Sequence, residues 1–149
     1  MIIFVTGTAV LFSCNQKEEK KQEIESQVIE KHSHAESYSI EFNNGAKWKI
    51  VSEMMAHIRN MESDINRFSE TKHTELKDFT QLGSILQKNI DLLTSNCTME
   101  GKAHDELHKW LLPYIDKVDK LNKSKNNDEA LRTFEEIKAS YKSFNIYFE

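Results

Sequence analysis

The stretch NCTMEGKAHDELHKW, residues 96–110, contains four side chains that could bind a transition metal ion: Cys97, Met99, His104 and His108. Thiolate and thioether sulfur select Cu(I), and imidazole suits both copper and zinc. If a helix extended back to Cys97, a rotation of about 100° per residue would align Cys97, His104 and His108 within about 60°. This spacing predicts one ligand-bearing face, although two histidines four residues apart are also typical of an ordinary helix surface.

A second group of candidate ligands, which includes Met54 and His57, lies at the start of an earlier helical pattern. In an up-down-up-down bundle the first and third helices begin at the same end, so we expect the two groups to meet there. Methionines at helical spacing are also typical core residues, which leaves a plain packing role as the alternative. The predicted metal ligands are Cys97, His104, His108, Met99, Met54 and His57.

The sequence supports a haem cofactor or a catalytic function less than it supports a metal ion site. A four-helix bundle can hold haem between methionine and histidine, but the sequence lacks a Cys-x-x-Cys-His attachment motif, so only noncovalent haem is considered. The sequence also lacks a glycine-rich phosphate loop, a nucleophile elbow and a His-Glu-x-x-His motif. We therefore predict that the protein is not an enzyme and that haem is a less favoured ligand than copper or zinc.

Four segments with apolar residues at every third or fourth position predict the elements that position these ligands. The first begins at Ser52, a residue suited to cap a helix. The second runs from about Lys72 to Leu93, the third from about Met99 to Asn122, and the fourth starts after Asn127. Because the links are short, the predicted fold is all-α, an up-down-up-down antiparallel four-helix bundle.

The segment YSIEFNNGAKWKI predicts a short β-hairpin before the first helix, because Asn-Gly between alternating apolar residues is typical of hairpins. A two-residue turn at Asn44-Gly45 would place lysines opposite apolar residues. A three-residue loop instead sets Ile40 opposite Trp48 and Glu41 opposite Lys47, with one apolar face and one cross-strand ion pair. We favour the three-residue loop and expect the hairpin to cap the end of the bundle at which the ligands collect.

The N-terminus predicts export and lipid attachment. The apolar run 2–12 is too short to span a bilayer but has the length of a signal-peptide hydrophobic region. The Ser-Cys pair that ends at Cys14 resembles a bacterial lipobox, although no basic residue precedes the run and an ordinary strand is the alternative. Residues 1–13 are predicted to be a lipoprotein signal peptide, 14–37 a lipid anchor and polar tether, and 38–149 the folded domain.

The composition of the chain limits the kinds of partner and the cellular compartment that can be expected. The chain has 24 acidic and 20 basic residues and a net charge of −4. This charge does not indicate the basic surface that is typical of nucleic-acid binding. Several acyl chains on Cys14 would provide stable anchoring, in the inner or outer membrane and facing the periplasm. Cys97 is then a thiol without a partner in an oxidising compartment. The expected partners are the membrane, through Cys14, and a protein of the cell envelope.

These motifs together resemble a group of small uncharacterised lipoproteins of Bacteroidetes. The most specific parts are an Asn-Asn-Gly-x-x-Trp hairpin and a Cys-Thr-Met-x-Gly-x-x-His-Asp-x-Leu-His segment. The resemblance implies an exported, membrane-anchored helical protein and no particular activity. The matching positions are Asn43, Asn44, Gly45 and Trp48 in the first motif, and Cys97, Met99, Gly101, His104 and His108 in the second.

The function predicted from the sequence is that of a membrane-anchored periplasmic lipoprotein that binds a transition metal ion. Copper is favoured and zinc is the alternative metal, and the ion would be buffered or transferred. The alternative function is a structural or interaction module that binds no metal. In that case the same residues serve as core and as helix start.

Overall fold

The computed structural model describes residues 39–149, so the predicted signal peptide, Cys14 and the tether lie outside the described residues. Each helix packs against its neighbour in the chain, and the second also packs against the fourth. The predicted all-α four-helix bundle is confirmed. The helices are α1 (Ser52–Ser69), α2 (Leu76–Ser95), α3 (Gly101–Asn122) and α4 (Asn127–Tyr147).

The apolar stripes of the four helices form one core, as their spacing predicts. Burial of these side chains, at roughly 1.5–3 kcal/mol each, is the main force that holds the helices together. Within residues 39–149, no helix is long and apolar enough to cross a membrane. Fully buried members of the stripes include Ile58 and Ile65 of α1, Leu86 and Leu93 of α2, Leu107 and Val118 of α3, and Ile137 and Phe144 of α4.

The helix starts agree only partly with the sequence. Asn126 caps α4, because its side chain accepts a hydrogen bond of 3.0 Å from the N–H of Glu129. The predicted cap at Ser52 is wrong: Val51 precedes α1, and the Ser52 hydroxyl donates to Glu53 over 3.0 Å. The second helix begins at Leu76, later than the sequence pattern indicates.

The start of α3 depends on the backbone of Gly101, which has a φ of +67°. This left-handed conformation favours glycine, because a Cβ destabilises it in other residues. A Cβ built on Gly101 would meet no atom within 4 Å, so backbone conformation and not space requires glycine here. The helix α3 begins at Gly101, two residues after the predicted start at about Met99, so Cys97 lies before the helix and the condition for aligning it with His104 and His108 is not met.

The segment before α1 makes a tight hairpin turn with one antiparallel bridge, between Asn43 and Ala46, and not the longer strands that the sequence predicts. Asn43 and Ala46 exchange two backbone hydrogen bonds of 2.9 and 3.0 Å around Asn44 and Gly45, which both have positive φ. Positive φ at both central residues is the type I′ geometry that Asn-Gly favours. The turn therefore has two residues, and the preferred three-residue loop is wrong.

The backbone beyond the turn pairs with the C-terminal residues, whereas its link to the residues before the turn is a side-chain bond, from the Trp48 indole N–H to the Glu41 carbonyl over 2.6 Å. Trp48 donates a hydrogen bond of 2.8 Å to the carbonyl of Tyr147 and accepts one of 2.9 Å from the N–H of Glu149. Trp48 and Phe148 thereby form a parallel bridge. The predicted opposition of Ile40 and Trp48 is consequently absent.

The predicted ion pair between Glu41 and Lys47 is also wrong. Glu41 instead lies 3.4 Å from the ammonium group of Lys102 in the first turn of α3. Lys47 donates a hydrogen bond of 2.8 Å to the carbonyl of Asn145 near the end of α4. The turn segment therefore lies against the bundle through separate contacts to α3 and α4.

Candidate metal centre

The six predicted ligands lie in different environments. Met54 is 1% exposed and belongs to the hydrophobic core, whereas Met99 is half-buried and packs against the edge of that core. In the part of the chain that the structure describes, no three His, Cys, Asp or Glu side chains are grouped so that they could hold a metal ion. Two smaller groups remain, one around Cys97 and one formed by His104 and His108.

Cys97 and His57 line the same open cleft, of about 620 Å³, between the start of α1 and the link from α2 to α3. Cys97 is a free, half-buried thiol. The Nδ1 atom of His57 is buried and has no hydrogen-bond partner within residues 39–149. A buried polar atom without a partner costs free energy, so a bound ion or water at this nitrogen would remove that cost. Other side chains that line the cleft are Glu53, Ala56, Ser95, Asn96 and Thr98.

The end of α2 places Cys97 at this cleft. The N–H of Asn96 donates to the Leu92 carbonyl over 3.2 Å, and the Asn96 side chain donates to the same oxygen over 2.9 Å. The N–H of Cys97 then donates to the Thr94 carbonyl over 3.4 Å. These bonds continue the last turn of α2, so the position of Cys97 depends on α2 and not on the helix that carries the histidines.

His104 and His108 form the second group, on α3. Their ring centroids are 4.1 Å apart and their planes are inclined by 52°. Both residues are half-buried. Burial lowers the pKa of His108, and the neighbouring His104 lowers it further, against an opposing effect of Asp105. Neutral imidazole, the form that binds metal, is therefore favoured at His108.

The two groups are separate. The side chains that line the cleft of Cys97, all between residues 53 and 98, include neither His104 nor His108. The predicted single face needed Cys97 and the histidines on one continuous helix, and the start of α3 at Gly101 interrupts that continuity. The structure thus brings Cys97 together with His57, and His104 together with His108.

Sequence reasoning missed Glu106, which is only 2% exposed. Its carboxylate accepts hydrogen bonds from the N–H of Glu41 over 2.9 Å and from the Lys109 ammonium over 2.8 Å. Burial opposes ionisation of Glu106, but these two hydrogen bonds and the nearby lysine charges outweigh it, so its pKa is lowered. Lys109 also donates to the Ser39 carbonyl over 3.3 Å. The spacing of three residues between Glu106 and Lys109 could have predicted their ion pair. In the structure the two side chains hold residues 39–41 on α3.

Tyr114 and Tyr141 are the other buried ionisable pair that the sequence did not reveal. Their hydroxyl groups are 3.4 Å apart, and the Tyr141 hydroxyl also donates to the Ile58 carbonyl over 3.4 Å. Burial raises the pKa of both phenols above their ordinary value. Both hydroxyl groups therefore remain protonated at neutral pH in the folded protein.

Comparison with known proteins leaves the chain without an assigned relative. No protein-family model matches it, and neither does any curated protein or any solved structure. Its function therefore has to be argued from the two ligand groups and the fold that positions them.

Proposed function

We propose that this protein is a membrane-anchored lipoprotein of the cell envelope that binds a transition metal ion, with copper favoured and zinc as the alternative. The observation that supports this proposal best is that Cys97 and His57, from separate parts of the chain, line one cleft. A thiolate with an imidazole is a ligand pair suited to Cu(I). The Nδ1 atom of His57 is buried without a hydrogen-bond partner within residues 39–149, so a rotation of the ring that directs this nitrogen into the cleft would allow an ion to bind it.

The openness of this site favours buffering or transfer of the ion over catalysis. The cleft offers few soft ligands, so an ion bound by Cys97 and His57 would keep coordination positions for a donor from outside. Glu53 and the hydroxyl groups of Ser95 and Thr98 also line the cleft, but oxygen ligands suit harder ions than Cu(I). An acceptor protein that supplies one further soft ligand could therefore remove the ion.

The proposed location rests on Cys14 and the residues that precede it. A lipidated Cys14 would attach the protein to the inner or outer membrane, with the folded domain in the periplasm and a protein partner in the same compartment. Glu106 and Lys109 hold the first described residues of the domain on the side of α3. The side chains that line the cleft of Cys97 include neither these residues nor Glu106 and Lys109.

A competition titration tests the proposal. The full chain with Cys14→Ser, kept reduced in mild detergent, retains Cys97 as its sole thiol and is titrated with Cu(I) against a coloured chelator. Binding to the folded state should stabilise it by about 2.7 kcal/mol when free ion exceeds the dissociation constant a hundredfold. Cys97→Ser should abolish competition, and His57→Gln should weaken it. Thr98→Ser, a change in the same cleft that removes no soft ligand, should leave it intact.

The alternative function is a structural or interaction module that binds no metal. It is favoured by the structural roles of Met54 and Gly101. Met54 is accounted for by core packing and Gly101 by the conformation of its backbone. Absence of competition together with an unchanged melting temperature would reject the metal proposal and favour this module. Noncovalent haem is the least favoured alternative, and an absorbance titration of the same chain with haem tests it directly.

A further inference from the structure

The imidazole rings of His104 and His108 touch each other on α3 and are arranged for a shared ligand. We propose that this pair forms a second metal site, separate from the cleft of Cys97, that binds a divalent ion, Zn(II) or Cu(II), between its two rings. This proposal extends the proposed function and rests on it only in that both sites take transition metal ions.

The geometry of the pair fits a chelate. Two imidazole nitrogens bound to one Zn(II) at 2.0–2.1 Å can be no more than roughly 4.2 Å apart. The ring centroids are 4.1 Å apart, so the two rings are close enough for rotation about their side-chain bonds to direct one nitrogen of each toward a common ion. The residues are four apart within α3, and such residues lie on the same face of a helix. Because both side chains are half-buried, the range of their ring positions is restricted before an ion arrives.

A comparison with His73 separates this pair from a histidine that has a structural role. The Nε2 atom of His73 lies 2.8 Å from the Thr71 hydroxyl and 3.0 Å from the Phe68 carbonyl, and its ring stacks on that of Phe68 at 3.5 Å. For His104, in contrast, the Asp105 carboxylate is 3.9 Å from Nδ1, beyond hydrogen-bond distance. His73 is therefore held by the fold, whereas His104 faces another imidazole.

The two sites differ in ligand chemistry as well as in position. The cleft offers a thiol, which favours Cu(I), whereas the α3 pair offers two imidazoles, which suit Zn(II) and Cu(II). Within residues 39–149 the α3 pair has two protein ligands, His104 and His108, so water or a further donor would complete the coordination. The two sites should therefore respond to different ions and to different substitutions.

The test uses the full chain in mild detergent with Cys14→Ser and Cys97→Ser, so that no thiol remains. His32→Gln and His34→Gln are added because these two histidines of the predicted tether, residues 14–37, could also bind the ion. Zn(II) and Cu(II) are titrated separately. We expect one equivalent of ion to bind, and His104→Gln and His108→Gln should each weaken binding at least about tenfold, because loss of one ring removes the chelate. His73→Gln is the matched control and should leave affinity unchanged. Equal affinity in all four chains would overturn the proposal.

A second measurement keeps the test decisive if a histidine variant fails to fold. In the chain that retains both histidines, one equivalent of Zn(II) should shift the ring resonances of His104 and His108 together. Bound Cu(II) should show electron-spin coupling to two ring nitrogens. Shifts confined to His57 or His73, or coupling to one nitrogen only, would overturn the pair. Cu(I) competition at Cys97 is measured separately, so failure of either site is recognised independently of the other.

Discussion

Trp48 and Phe148 lie near the beginning and the end of residues 39–149 along the chain, and their backbones form a parallel bridge. Both side chains are buried, and the Phe148 ring stacks on that of Phe144 with centroids 5.0 Å apart. The Ile50 N–H extends the pairing with a hydrogen bond of 2.8 Å to the Glu149 carbonyl. The segment that leads into α1 is therefore held by the segment that leaves α4.

Truncation of Phe148 should destabilise the whole domain. Phe148 is 1% exposed, so Phe148→Ala should lower the free energy of unfolding by about 3–5 kcal/mol. Urea denaturation followed by circular dichroism measures this loss. The control is Ile146→Ala, because Ile146 is 52% exposed and its truncation should cost no more than about 0.5 kcal/mol. Similar losses in both variants would mean that burial of the Phe148 side chain does not anchor the C-terminal residues on the core.

Gly101 should tolerate asparagine better than alanine. Its φ of +67° is left-handed, so Gly101→Ala should cost about 1–2 kcal/mol of unfolding free energy, whereas asparagine adopts this region more readily. Because a Cβ meets no atom within 4 Å, steric overlap does not obscure the comparison. Thermal unfolding of both variants gives the ranking, and an alanine variant as stable as the native chain would contradict the assigned backbone role.

Glu106 should contribute stability that disappears in acid. Its pKa in the folded state is lowered from an ordinary value of 4.5, so the unfolded state binds more protons as the pH falls toward and below 4.5. The contribution is therefore fully present above that value and is lost as the pH falls through the folded-state pKa. Glu106→Gln should reduce the unfolding free energy at pH 7 by about 1.5–3 kcal/mol, the usual worth of a hydrogen bond to a charged group.

Urea denaturation across the acidic range measures the effect of Glu106. The variant should show a shallower loss of stability below pH 4.5 than the native chain. Glu135→Gln is the control, since Glu135 pairs with Lys138 on an exposed part of α4. Exposed pairs contribute only about 0–1 kcal/mol, so this control should retain the native pH profile. Parallel profiles for native and Glu106→Gln chains would show that the buried carboxylate is not linked to stability.

Cys14→Ser should release the protein from the membrane. If Cys14 carries the acyl chains, its substitution removes the anchor and leaves no lipid to retain the folded domain. Expression with a labelled fatty acid, followed by membrane fractionation, reads out attachment and location together. Cys97→Ser is the matched cysteine control and should keep both label and membrane association. Retention of the label by the Cys14 variant would reject the proposed lipid anchor.

The sequence by itself was sufficient for the number of helices and for their buried faces, although not for the cap of α1 or the start of α2. Apolar residues such as Ile58, Leu86 and Ile137 recur with the period of an α-helix, and that period is a local property of the chain. Short links then restrict neighbouring helices to antiparallel packing. The Asn-Gly pair likewise predicted a turn at the correct place, because positive φ is a preference of those residues themselves.

Only the tertiary structure determined which residues, distant in the sequence, contact each other. The turn at Gly45 does not specify a distant strand partner, and the contact of Trp48 with Phe148 depends on where α4 ends. The grouping of ligands depended in the same way on the φ of Gly101, which a regular helical spacing does not reveal. The candidate metal ligands could be predicted from residue types. The backbone geometry, however, determines that Cys97 lies in the cleft of His57 and that His104 lies beside His108 on α3.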